Sequence, residues 1–167
     1  NAPWQPNPHF WDPTTPRAFN PAVPALDAFP HKLWEKTLLS AWREVDAAQL
    51  SYGSPLGYGP LRNILADYMQ RARGVRCSPE QVVITGGTQQ GLGLIANLLL
   101  NEDDAVWVEN PSFNGIHTTL QTALSRIVPV SVDKQGIRVK EGIKKAPHAR
   151  LVYISPSHQY PLGVTMS

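Results

Sequence analysis

Thr85-Gly86-Gly87-Thr88-Gln89-Gln90 is the segment whose residue types point most directly to chemistry. An apolar run from Val82 ends there, two glycines permit a tight turn, and helical periodicity begins. The first N–H groups of a helix have no intrahelical acceptor, and the helix dipole is positive at that end. The combination favours a phosphate group. Thr88 can add a hydroxyl and Gln89 an amide. The string has no Walker lysine and is not GxGxxG, so it does not specify a nucleotide. A plain turn with a capping threonine is the competing reading.

Three further segments place polar or aromatic groups after apolar runs. Glu109-Asn-Pro-Ser-Phe113 follows one such run, and Phe113 there can present a flat face to an aromatic ring or simply start the core of a helix. Ser155-Pro-Ser-His-Gln-Tyr-Pro-Leu-Gly163 crowds His158, Gln159 and Tyr160 into a proline-framed loop, either a site or a surface turn. Tyr52-Gly-Ser-Pro-Leu-Gly-Tyr58 puts Tyr52 in a glycine-rich loop, where it reaches a ligand or anchors packing. His9, His31, His117 and His148 show no metal-ligand spacing. The lone Cys77 can form neither an internal disulfide nor a cysteine zinc site.

The elements that must position these segments follow from periodicity. Residues 1–30 carry many of the 16 prolines, together with Trp4, Phe10, Trp11, Phe19 and Phe29. Proline excludes helix and central strand there, and the aromatics favour an extended arm docked on a body over a disordered linker. Leu33, Trp34, Leu38, Trp42 and Val45 predict a helix over 31–49. Pro60 suits a helix N1 position. Leu61, Ile64, Leu65, Tyr68 and Met69 predict the buried stripe of a second helix, stopped by Gly74. Strands are expected at 82–85, 105–109, 127–131 and 151–155, with Pro129 marking an edge or a bulge. Helices are expected at 89–100 and 113–123, with a short one near 139–144. Strands alternating with helices imply βαβ units and a largely parallel sheet.

Composition narrows the class. The chain has 167 residues, 42% of them hydrophobic, enough for one core. Its formal net charge of +2, with no basic run, gives no sign of nucleic-acid binding. No apolar run approaches the roughly 18 residues of a membrane span, and the N-terminal residues lack a signal-peptide pattern. A cytoplasmic protein is expected. The chain stops at Met166-Ser167 where an α/β domain would continue, so a fragment is expected.

Taken together, the strings FNPAVPALDAFPHKLW, YGSPLGYGPLRNILADYMQRARGVRC, PEQVVITGGTQQGL, VWVENPSFNG and LVYISPSHQYPLGVTMS resemble fold-type-I pyridoxal-phosphate (PLP) enzymes. They look most like the aminotransferase-like domain of MocR-type regulators, a branch of the GntR regulators. The resemblance covers most of the chain from Phe19 onward. It implies an α/β fold: part of an aspartate-aminotransferase-like large domain over 31–167, with a mostly parallel sheet, flanking helices and an extended arm over 1–30.

The resemblance also implies roles. Gly87, Thr88 and Gln89 match the cup for the cofactor phosphate, and Phe113 the aromatic residue stacked on the pyridine ring. The 155–163 loop stands where relatives supply an asparagine to the ring hydroxyl. Here His158 or Gln159 takes that place. Tyr52 matches a tyrosine that approaches the phosphate of the other subunit in a homodimer, and Val23 with Pro24 match the segment beside the substrate entrance. The family's Schiff-base lysine, pyridine-nitrogen aspartate and carboxylate-binding arginine lie further along. Lys134, Lys140, Lys144 and Lys145 precede that lysine's place. The expectation is an incomplete PLP site that is inactive by itself. The parent would be a regulator that senses PLP or its adduct with an amino acid or amine, and reads DNA through a domain outside this chain. A stand-alone aminotransferase acting on amino acids and 2-oxo acids is the alternative, and an inactive structural remnant a third reading.

Overall fold

A computed structural model describes residues 24–167, so the arm up to Val23, with Trp4, His9, Phe10, Trp11 and Phe19, lies outside the described residues. The described chain falls into two units that meet in sequence after Tyr52.

The first unit holds a short 3-10 turn, Leu26–Ala28, and helix α1, His31–Arg43. Phe29 packs edge-on against His31 and Trp34. The helix ends before the expected Gln49. Asp46 and Gln49 accept each other's backbone N–H groups, at 2.8 and 2.9 Å, and this local exchange competes with helical bonding. On α1 an apolar groove of about 320 Å³ is lined by Trp34, Thr37, Leu38, Ala41, Trp42 and Val45. Its only side-chain hydroxyl, Thr37, donates to the Leu33 carbonyl.

The second unit opens with helix α2, Gly59–Arg73, whose second residue is Pro60, one place later than expected. Gly74 ends it in the left-handed conformation, at φ 66°. The predicted stripe is not buried: Leu61, Ile64, Tyr68 and Met69 are exposed, and Ala66 alone is fully enclosed. Contact with the 79–82 segment is made by a polar residue instead, Arg62, whose guanidinium donates to the Pro79 and Val82 carbonyls. Residues 82–85 do not form the expected strand. The Ile84 N–H reaches the Leu56 carbonyl at 2.9 Å, but the segment joins no ladder of the sheet.

The sheet has the order β3-β2-β1-β4, from β1 (Ala105–Asn110), β2 (Arg126–Asp133), β3 (Gly136–Ile137) and β4 (Leu151–Tyr153). β1 runs parallel to β2, with Ala105 opposite Arg126, and parallel to β4, with Val106 opposite Leu151. β3 turns back on β2 as a hairpin that the sequence reading did not anticipate. It covers only Val132 and Asp133, so no strand lies beside Pro129 on that flank, in keeping with the edge position expected of a proline.

Strand alternation sends β1 side chains to two cores. Val106 and Val108 pack with Ile116 and Leu120 of α4 (Asn114–Thr122) and with Leu92 of α3 (Thr88–Leu99). Ala105 and Trp107 pack with Val128, Val130, Ile137 and Ala146 beside α5 (Val139–Lys145). Trp107 donates its indole N–H to the Ala146 carbonyl at 2.9 Å. A Cβ on Gly142 would stand 2.6 Å from the same ring, so α5 approaches only as glycine allows. Glu141 ties α5 to β2: its carboxylate accepts from the Lys145 ammonium at 2.7 Å and from the Ser131 hydroxyl at 3.2 Å. The Lys145 bond, with Ser131 adding to it, holds the carboxyl below the usual carboxylate range.

Candidate cofactor site

β1 sits between β2 and β4, and the chain leaves it towards β2 and later returns to β4. The strand order therefore reverses at the β1–β4 pair, and ligands of open parallel sheets bind beyond the carboxyl ends at such a point. Three predicted segments meet there.

The first is the cup. Gly87 caps α3 with φ 150° and ψ 173°, and a Cβ there would meet nothing within 4 Å. The helical ladder begins with the Gly91 N–H on the Gly87 carbonyl. The N–H groups of Thr88, Gln89 and Gln90 thus have no intrahelical acceptor. The turn is fixed from inside: Thr85 donates its hydroxyl to the Gly87 carbonyl at 3.2 Å, and the Gly86 N–H bonds to the Gln90 side-chain oxygen.

Gln89 spends its carboxamide on the protein. Its Nε2 donates to the Gly115 carbonyl and to the Thr119 hydroxyl, both at 2.7 Å, and so fastens α4 to α3. A phosphate in the cup would be left the Gln89 backbone N–H.

Phe113 caps α4 and is 41% exposed, so it is not the core residue its helix-start position allowed. Its ring folds back over Gly115. A Cβ on Gly115 would lie 2.2 Å from Phe113 Cε1 and 2.6 Å from Gln89 Oε1. The aromatic face and the cup residue therefore meet over one glycine.

The 155–163 loop seats on the end of β1 through buried Glu109 and Gln159. Glu109 accepts from the Ser155 N–H at 3.1 Å and from Gln159 Nε2 at 3.3 Å. Gln159 Nε2 also donates to the Pro111 carbonyl at 2.8 Å, and Gln159 Oε1 accepts from the Leu162 N–H at 3.2 Å. Every polar group of that side chain is engaged. His158 is the opposite case: exposed, left-handed at φ 55°, with only Nδ1 bonded, to the Ser157 hydroxyl at 2.8 Å. Of the two loop residues, His158 is the one with a ring nitrogen to offer.

Tyr52 lies in the first unit, fully exposed, as does Pro24. Glu109 was not singled out as a site residue, although it begins a motif that was. The signal that could have found it is a carboxylate closing an otherwise apolar strand. Lys145 bonds the Pro129 carbonyl and Glu141, and Lys140 and Lys144 belong to the same α5, across the sheet from α3 and α4. Among the described residues, no group of three or more His, Cys, Asp or Glu side chains is placed to hold a metal ion. None of the helices there is long and apolar enough to cross a membrane.

Comparison with known proteins adds the family context. The family model described as aminotransferase class I and II matches residues 32–164. The probable rhizopine catabolism regulatory protein MocR of Rhizobium meliloti is 34% identical over 149 residues, covering 89% of this chain and 30% of that protein. The 2-aminoadipate transaminase of Thermus thermophilus is 32% identical over 148 residues, covering 87% of this chain and 36% of that enzyme. The crystal structure of an archaeal alanine:glyoxylate aminotransferase superposes with a TM-score of 0.76 at 29% identity, over 86% of this chain and 37% of that one. The chain spans 30% of the regulator's length and 36% of the transaminase's.

Proposed function

We propose, since the chain belongs to the class I and II aminotransferase family, that it builds the phosphate and ring side of a PLP site in the effector domain of a MocR-type regulator of the GntR group. The carrying observation is the open helix N-terminus at Gly87–Gln90, with the exposed face of Phe113 beside it. The fit is chemical. Three backbone N–H groups and the Thr88 hydroxyl suit a phosphate dianion, and Phe113 suits a pyridine face. When bound, PLP supplies an electron sink for substrate amines.

The chain's own residues bind and orient. Thr88, Gln89 and Gln90 would neutralise the phosphate through the backbone. Phe113 would shield one ring face from water, and His158 would meet the ring hydroxyl in place of the family's asparagine. Tyr52 belongs, in this reading, to the phosphate site of the other subunit of a homodimer. Residues 31–167 act as one part of the large domain, in the cytoplasm. DNA is read by a domain outside these residues, and the effector is an amino acid or amine. The alternative, part of a stand-alone aminotransferase, has support from the transaminase likeness.

Titrating the chain with PLP tests the site. Gly87→Val together with Thr88→Val should weaken binding about tenfold or more, because a Cβ at this φ is strained and the hydroxyl is lost. Unchanged binding would sink the assignment. Borohydride reduction after PLP addition should leave no single lysine modified stoichiometrically, since Lys145 is bonded elsewhere and Lys140 and Lys144 lie on α5. A uniquely labelled lysine would show that these residues suffice for covalent attachment. A winged-helix reading frame joined upstream in the gene would favour the regulator over the enzyme.

A further inference from the structure

Gly115 and Thr119 of α4 touch both halves of the candidate site. The Thr119 hydroxyl, buried, donates to the Gly115 carbonyl at 3.1 Å and accepts from Gln89 Nε2 at 2.7 Å. Gln89 Nε2 also reaches the Gly115 carbonyl. The first turn of α4 is thereby pinned to the first turn of α3. Above the pin, the missing Cβ of Gly115 is the space that the Phe113 ring edge and Gln89 Oε1 occupy.

We propose that Gly115, held by the Thr119–Gln89 pair, is the specificity-determining position that sets the span between the phosphate cup and the aromatic face. The site then accepts a phosphate ester one short arm from a flat ring, and discriminates against ligands whose phosphate and ring are spaced differently. The inference rests on the PLP-site reading and adds to it two positioning residues, neither of which need touch the ligand. The physical asymmetry is useful. Alanine is a better helix residue than glycine, and the atoms in its way are the far edge of one ring and the end of one amide. Gly115→Ala therefore disturbs the ring position far more than the fold.

The experiment compares two probes, inorganic phosphate and pyridoxine 5′-phosphate, which has the ring and phosphate but no aldehyde. Gly115→Ala should bind pyridoxine 5′-phosphate roughly three- to tenfold more weakly, as expected for a lost ring contact. It should hold inorganic phosphate within about twofold, because the cup meets phosphate through backbone N–H groups rather than through the displaced amide. Thr119→Val should show the same selective loss, and Thr119→Ser should restore binding. Unchanged pyridoxine 5′-phosphate binding in Gly115→Ala overturns the inference, as does an equal loss of both probes. If the parent chain binds phosphate but gains nothing from the ring, the PLP-site reading fails first and takes the inference with it.

Discussion

Replacing Gln159 by methionine keeps length and apolar volume while deleting every hydrogen bond of the side chain that helps to seat the 155–163 loop. Three bonds disappear: Nε2 to the Pro111 carbonyl, Nε2 to the Glu109 carboxylate, and the Leu162 N–H to Oε1. Glu109 keeps only the Ser155 N–H among those donors, and it is buried. A hydrogen bond to a charged group is worth about 1.5–3 kcal/mol, and each neutral partner left unpaired costs about 1 kcal/mol or more. Added apolar burial returns about 1 kcal/mol. The net expectation is a loss of about 2–4 kcal/mol, a large share of an ordinary domain's stability. Urea unfolding of Gln159→Met beside the parent reads it, with an unchanged slope indicating that the folded state kept its compactness. Amide exchange should speed up locally at the Gln159 N–H, which bonds the Val164 carbonyl, before it does so in β1. Glu109→Gln retains an oxygen for both donors and should cost only about 1 kcal/mol. If Gln159→Met stays within about 0.5 kcal/mol of the parent, the side chain is not the latch described, and the separation of roles between Gln159 and His158 loses its basis.

Other substitutions probe the scaffold. Gly142→Ala should destabilise by about 1–3 kcal/mol in thermal or urea unfolding, because its Cβ meets the enclosed Trp107 ring rather than a flexible side-chain end. His158→Gly should leave stability unchanged or raise it by up to about 1 kcal/mol, since glycine takes φ 55° without strain, while any contribution of the imidazole to PLP binding is lost. Glu141 has a lowered carboxyl pKa in the folded chain, so the stability it adds is present above the ordinary carboxylate range and is lost as pH falls through the lowered value. Glu141→Gln should accordingly flatten that part of the acid unfolding curve, and an identical curve would refute the contribution.

Much of the scaffold was legible because periodicity and burial agree. α3, β1, α4, β2, α5 and β4 stand where apolar spacing placed them. The failures share a cause: a sequence pattern names a residue's character, not its partner. Val82–Thr85 is apolar enough for a strand, but a strand exists only through a ladder. The α2 stripe is periodic, yet no neighbour in its unit covers Ile64 or Tyr68. The β2–β3 hairpin left a readable trace, because Asp133 accepts from the Gln135 N–H at 2.8 Å and Gly136 adopts φ 102°, a turn signature over Asp133–Gly136. At the site, Gln89 and Gln159 looked like ligand groups because a carboxamide can serve either ligand or protein. In the fold both carboxamides bond to protein groups.

The strand order also dictates a folding sequence. β1 gains its first neighbour from β2, close by in the chain, and its second only when residues 151–153 arrive. The Glu109–Gln159 contact closes a still longer loop. Long closures come late in the search for native structure. The two-stranded core can thus form while the crevice rim is still open, and ligand affinity during refolding should lag behind the recovery of secondary structure.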